Sequence, residues 1–436
     1  MRRTTRTLTL GAVAAVAAGL FVLPASAHDP ETPEGKAAIA AYMADHKPTD
    51  RSPAVSGAVV KCVNGKAGQY PCKNVDLLST MPLNSIGGGQ GNDIWGWTDP
   101  ADKKEYAVVG RTNGTAFVDV TDPLAPRYLG NLPSHGGKSS TWRDMKVYKD
   151  HAFIVADMIS GHGMQVFDLT RLRTVRTPQT FTEDAHYAKF GPAHNIAINE
   201  QTGFAYAVGS NTCSGGPHMV NIQNPKNPVG AGCVSSDGYT HDTQCVNYQG
   251  PDTAFRGKEI CFNANEDTLT IVDVTDKANP KQLVRKPYSG AAYSHQGWLT
   301  EDQRYFLLDD ELDEQRGTDK RTKTYIFDVA RLTDPQPKGT YHAPVNSIDH
   351  NQYIKGGFSY QANYQSGMRI LDVSGVASGT LTEAGYFDIF PSGDSAQFNG
   401  AWSLYPYFPS GNVVINGIEQ GLVVVKPNVT TGSPVG

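Results

Sequence analysis

The sequence predicts an all-β fold, a seven-bladed β-propeller, and three observations predict it. First, 45 of the 436 residues are Gly and 27 are Pro, about a sixth of the chain, against roughly 12% in average globular proteins. A turn-rich β protein needs such residues and a helical bundle tolerates them poorly. Second, a short apolar strand ending in an acid recurs. It reads Ala116-Phe117-Val118-Asp119-Val120, then Gln165-Val166-Phe167-Asp168-Leu169, then Met219-Val220-Asn221-Ile222 with an amide in the acid's place. It returns at Thr270–Val274, Tyr325–Val329 and Arg369–Val373, ending in Asp273, Asp328 and Asp372, and a last copy, Leu422–Lys426, lacks the acid. From Asp119 to Lys426 is 307 residues over six intervals, about 51 per unit. Third, a separate anchor recurs at Asn92, Arg143, His194, His241, His295, His350 and Asn399, with intervals of 51, 51, 47, 54, 55 and 49 residues. Two anchors sharing one period mark a repeat architecture, and a β-rich unit of this length fits one four-stranded blade.

The elements follow in order. Residues 1–27 have the form of a signal peptide: Arg2, Arg3 and Arg6, an apolar stretch from Leu10 to Leu23, and Ala25-Ser26-Ala27 as a cleavage site. The apolar stretch is short for a membrane span, so the expectation is a secreted, extracellular protein beginning at His28. Residues 28–73 form a leader with a helix over Gly35–His46, packed outside the ring, and a Cys62–Cys72 loop. Residues 74–427 form the propeller. In each unit the first strand starts at the His-bearing anchor and the second follows, as at Glu105–Val109, Ala152–Val155 or Arg304–Leu308. The third is the acid-terminated strand, whose repeated Asp caps a turn, and the fourth is a variable strand after a Pro turn, as at Arg127–Pro133. The seventh unit runs out after its third strand, while Asn74–Leu83 resembles a fourth strand. The N-terminal strand is therefore expected to complete the seventh blade and remove the open sheet edges. A short polar tail, 428–436, follows.

Six cysteines in an exported chain imply three disulfides, with nearest-neighbour pairing expected: Cys62–Cys72, Cys213–Cys233 and Cys245–Cys261. A net charge of −5 without basic clusters argues against nucleic acid as a partner, and no second apolar segment predicts a membrane span. The expected form is a monomer with a small-molecule, glycan or protein ligand.

Several stretches resemble the secreted bacterial choice-of-anchor B family, built from LVIVD repeats. They are His295-Gln-Gly-Trp-Leu-Thr-Glu-Asp, Asp309-Asp-Glu-Leu-Asp-Glu, Asp349-His-Asn-Gln-Tyr, Asn363-Tyr, Met368-Arg-Ile-Leu-Asp and Phe398-Asn-Gly-Ala-Trp-Ser-Leu-Tyr-Pro. Cys62-Val-Asn-Gly-Lys-Ala-Gly-Gln-Tyr-Pro-Cys and Glu259-Ile-Cys-Phe are similar to its N-terminal and central segments. The resemblance spans nearly the whole mature chain and implies a fold and an export route but no reaction.

Chemistry must come from the residues. The innermost strand of each blade lines the axis, so four consecutive blades bring His194, His241, His295 and His350 to one end of the channel. Neutral imidazoles converging on a point bind Zn, Cu or Fe. Second strands return to the same face, so Asn265, Glu266, Asp309, Asp310 and Glu311 are expected behind the histidines, with Glu266, Asp310 and Glu311 as orienting groups or a general base. Arg143, with Asn92 and Asn399 in the same slot, is a candidate for binding an anionic ligand. The competing reading is structural: each histidine bonds the neighbouring blade's backbone. Asp309–Glu314 also has the oxygen chemistry of a calcium loop, or of a solvated turn. No Gly-x-Ser-x-Gly, phosphate loop or His-Glu-x-x-His occurs. Two functions remain open: a binding module working through a histidine-rich axial funnel, and a metal-dependent oxidoreductase or hydrolase on a four-histidine site.

Overall fold

The computed structural model describes residues 52–430 apart from Thr318. The expected signal peptide, the leader helix over Gly35–His46 and the last six residues of the tail lie outside the described residues.

Seven sheets stand around one axis. From the axis outward, blade one consists of Gly91–Thr98, Glu105–Arg111, Gly114–Asp119 and Arg127–Pro133. Blade two has Arg143–Tyr148, His151–Ala156, Met164–Asp168 and Ala185–Tyr187; blade three has Asn195–Asn199, Phe204–Val208, His218–Asn221 and Val229–Cys233. Blades four and five run Asp242–Asn247, Glu259–Ala264, Thr268–Asp273, Lys281–Pro287 and Ser294–Leu299, Tyr305–Asp310, Lys323–Asp328, Gln336–His342. Blade six is Asn351–Lys355, Phe358–Ala362, Met368–Asp372 and Thr382–Phe387. Blade seven takes Ala401–Tyr405, Val413–Gly417 and Gly421–Pro427 from the C-terminal end and Val75–Met81 from the N-terminal end. The innermost strands touch in cyclic order, the seventh against the first, so the ring is closed as the repeat predicts. Helix among the described residues is confined to five short 3-10 turns.

The repeated acid has a local job. Asp119, Asp168, Asp273, Asp328 and Asp372 each accept a hydrogen bond from the backbone N–H two residues on, and Asn221 does so in blade three. The side chain thereby closes the turn into the fourth strand. Between blades the second and third strands pack face to face. Phe117 of blade one stacks on Phe167 of blade two at 4.4 Å, and Phe262 of blade four lies 5.6 Å from Phe306 of blade five.

Two blades depart from the simple unit. After Asp168 the chain first lays Gln179–Thr180 parallel against the outer edge of blade one, then returns as the fourth strand of blade two. Gly130 permits that approach: a Cβ there would sit 2.1 Å from the Gln179 carbonyl oxygen. Blade six gains Tyr70–Lys73, paired with its outermost strand, and Lys66–Ala67 beyond that. The segment before Val75 thus clasps blade six before the chain closes blade seven. All three expected disulfides form, with Cα separations of 6.0 Å for Cys62–Cys72, 5.4 Å for Cys213–Cys233 and 4.0 Å for Cys245–Cys261. The last ties the two inner strands of blade four at directly paired positions.

Candidate functional site

The axial channel is built in layers, because the innermost strands run along it and each turns every second residue inward. At one end lie the four histidines, all buried. His194, His241 and His350 immediately precede innermost strands, and His295 sits in a bulge between Ser294 and Gln296, a device that re-aims a side chain. Their rings follow one another around the axis at 4.3, 4.0 and 4.4 Å between centroids.

Each ring is fixed through Nδ1. His241 donates to the carbonyl of His295 at 2.9 Å and His295 to that of His350 at 3.1 Å; His350 donates to that of Trp402. His194 instead meets Asp157 at 2.9 Å. A carbonyl can only accept, so in those three rings Nδ1 carries the hydrogen and Nε2 the lone pair. Burial, then the neighbouring imidazoles, push His241 and His295 well below the usual histidine range, and burial brings His350 down to about 3. These three rings are neutral.

Glu311 reaches into this layer. Its two carboxyl oxygens lie 3.7 Å from Nε2 of His295 and 3.7 Å from Nε2 of His350. Tyr364 donates its hydroxyl to Glu311 at 2.8 Å, and burial pushes the carboxyl up to about 8. Ligand atoms of His295, His350 and Glu311 all fall within 4.8 Å of one another, a group that leaves out His194 and His241. Tyr293, Tyr364, Phe398 and Trp402, with Leu312 and Ile348, form an apolar cover around the layer.

The other candidates have different surroundings. Asp310 accepts from the backbone N–H groups of Ala292 and Tyr293 and from the Tyr288 hydroxyl, holding the loop that enters blade five. Glu266 pairs its backbone with Ser294 at a positive φ of 60°. Its carboxyl is raised by burial, with Tyr293 and His194 as neighbours. Asn265 donates to Asp237, and Asp309 accepts from Gln352. Arg143 is buried and donates to the Arg111 carbonyl at 3.1 Å, to Ser134 and to Nε2 of His162 at 3.3 Å. Asn92 donates to the Thr141 carbonyl at 3.0 Å. Asn399 donates to Glu419 at 2.8 Å and stands outside the slot. The residue whose carbonyl receives His350, as His350 receives His295, is Trp402, and blade seven carries the same bulge there as blade five at His295. The sequence alignment of the seventh repeat is therefore three residues off.

The next layer is ionic. Lys146 lies 2.5 Å from Asp144 and 3.9 Å from Asp93. Burial works against its ammonium, but Asp144, Asp93 and Asp242 outweigh that and hold its pKa above the usual value. Burial raises Asp242 to about 7.

Beyond it the channel opens into a cavity of about 520 Å³. One residue per blade lines it in register: Trp95, Lys146, Ala197, Gln244, Trp298, Tyr353 and Tyr405, joined by Tyr407, Asn199, Glu200, Asp242 and Gln303. The first six stand three residues beyond the sequence anchors and Tyr405 three beyond Trp402, so the same repeat carries them. The aromatic rings meet edge to face, Trp95 on Tyr405 at 5.1 Å and Trp298 on Tyr353 at 5.1 Å, and Lys146 lies over Trp95 at 4.7 Å. Tyr405 and Tyr407, both from the closing blade, are part of this wall.

No protein-family model matches the chain, and no curated protein matches it. Solved structures do. A protein from Lactobacillus plantarum is similar with a TM-score of 0.50 at 15% identity, over 75% of this chain and 88% of that one. The β-propeller domain of Cps50 (Swd1) from Myceliophteria thermophila gives 0.48 at 13% identity, over 74% and 94%. The computationally designed protein Ika8 gives 0.48 at 10% identity, over 81% and 93%. At 15% identity the likeness to the Lactobacillus plantarum protein speaks for a shared fold alone.

Proposed function

We propose that this chain is a secreted, monomeric propeller of the choice-of-anchor B kind that binds a small neutral molecule, a sugar ring of a glycan or a similar polyol, in the aromatic mouth of its axial channel. The observation that carries the reading is the cavity and its lining. A concave site with aromatic walls and a few convergent polar groups is the usual form of a small-ligand site. Indole and phenol faces from Trp298 and Tyr407 suit the apolar face of a sugar. The amides of Gln244, Gln303 and Asn199 and the carboxyls of Asp242 and Glu200 suit its hydroxyls. Lys146 is already neutralised by its carboxylates, which weighs against an anionic ligand. Export accords with three disulfides, and no helix among the described residues is long and apolar enough to cross a membrane.

The alternative, an enzyme working on a four-histidine metal, needs substrate to reach the ring. His194, at 6% exposure, is the most accessible of the four, and that favours binding at the open mouth. Calorimetric titration with a panel of neutral mono- and oligosaccharides tests the proposal, beside Trp298→Ala and Gln244→Ala. Saturable binding to the wild type that both variants weaken at least tenfold is the expected result. No binding by any saccharide, or binding indifferent to both substitutions, overturns it.

A further inference from the structure

The histidine layer holds a second site. We propose that His295, His350 and Glu311 form a closed metal centre for a divalent first-row ion, zinc above all, that joins blades five and six at the axis. It is independent of the saccharide reading, since it lies beyond the ionic layer from the open mouth.

The argument starts from hydrogens. Nδ1 of both histidines donates to a backbone carbonyl, so Nε2 of each presents a lone pair. Each lone pair faces a carboxyl oxygen of the same residue, Glu311, at 3.7 Å. That is beyond hydrogen-bond range, so a proton does not bridge either gap. Two imidazole lone pairs and a carboxyl group thus face one another inside an apolar cover, where the carboxyl needs either a proton or a cation to offset its burial, and a metal ion would take the proton's place. The spacing suits one. Two ligands about 2.0–2.1 Å from a tetrahedral zinc stand roughly 3.4 Å apart, so ligand atoms that already lie within 4.8 Å of one another reach coordination distance by side-chain shifts on the order of an ångström. The chemistry of the set, two imidazoles and a carboxylate, is that of zinc and its neighbours rather than of calcium or magnesium. The supporting contacts are also present. The carbonyls of His350 and Trp402 fix the two rings, and the Tyr364 hydroxyl at 2.8 Å fixes Glu311, as outer groups do around metal ligands. Three protein ligands leave a fourth position. The surrounding cover of Tyr293, Tyr364, Phe398 and Trp402 makes the centre a structural one, with water as its remaining ligand.

The test uses the exported protein, stripped with a chelator and titrated with Zn²⁺, and with Co²⁺ for the visible spectrum of an imidazole-bound ion. A half-buried grouping of His135, Glu183 and His186 also brings ligand atoms within 4.8 Å, so the titration is run in a His186→Ala background. One equivalent of zinc, a raised thermal unfolding midpoint and a cobalt spectrum, all lost in Glu311→Gln, support the site. Tyr364→Phe, which leaves the three ligands in place, should weaken zinc binding roughly 10–100-fold. Glu311→Gln keeps the shape of the side chain, and its unfolding midpoint in chelator reports whether it folds. His295→Ala, measured in the same way, is the second variant. A stripped, folded wild type that takes up no zinc overturns the proposal. So does a folded Glu311→Gln or His295→Ala that binds zinc as the wild type does.

Discussion

Removing the strand that closes the ring should remove much of the stability of the whole molecule. Val75–Met81 is the fourth strand of blade seven, paired from Val75 opposite Pro427 to Met81 opposite Leu422. It buries Val75, Leu77 and Leu78, which are 0, 1 and 5% exposed. At about 1.5–3 kcal/mol for each apolar side chain, the strand contributes roughly 5–9 kcal/mol, against the 5–15 kcal/mol that holds a typical domain folded. A chain that begins at Pro82 also bares the edge of Gly421–Pro427, which becomes a template for pairing with another copy. Urea unfolding followed by tryptophan fluorescence, with size-exclusion chromatography, should show a loss of most of the unfolding free energy and association of what remains. Such a truncation removes Tyr70–Lys73 from blade six as well, so Leu77→Ala isolates the closing strand, with an expected cost of about 2–5 kcal/mol. A truncated chain that stays monomeric with the full-length midpoint, together with a neutral Leu77→Ala, would refute closure by the N-terminal strand.

Three further outcomes follow from particular contacts. Replacing Cys245 and Cys261 by Ala opens a bridge between residues 16 apart. It should lower stability by about 3 kcal/mol, read as a lower urea midpoint than the wild type's without reductant. Burial, with Arg143 beside it and His135 and His186 nearby, pushes His162 down to about 3, whereas an unfolded histidine titrates near 6.5. The unfolded chain therefore takes the extra proton first, and this contribution to stability, intact above about pH 6.5, is lost as pH falls toward 3. The loss is on the order of 3 kcal/mol by pH 4. His162→Gln should flatten that limb in melts between pH 4 and 7, and an unchanged slope would contradict the assignment. Finally, a Cβ at Gly96 would fall 2.1 Å from Cε1 of Tyr405. Gly96→Ala should displace that ring from the cavity wall and cost about 1–3 kcal/mol, measured by thermal melts and by the fluorescence of Trp95.

What could be read along the chain, and what could not, divides on one physical point: a repeat marks positions within a period but does not say where side chains point. The acid that closes each third-strand turn was legible because its hydrogen bond spans two residues. The closing strand was legible because a seventh unit lacking its fourth strand leaves an edge that some other segment must cover. The cavity wall was equally available, three residues beyond each aligned anchor, but its members are Trp, Lys, Ala, Gln, Trp, Tyr and Tyr. A ring of unlike residues gives no signal to an eye searching for one residue type. Blade seven was misaligned because Asn399 copies the polar character of the anchor while the bulge lies at Trp402. Glu311 was expected behind the histidines, but that it meets Nε2 of His295 and of His350 was out of reach for a stronger reason. It depends on which nitrogen each ring gives to a carbonyl, and that carbonyl belongs to the next blade, more than fifty residues away along the chain. Had the backbone taken Nε2 instead, the same four histidines would have turned their lone pairs elsewhere, and the sequence would have looked no different.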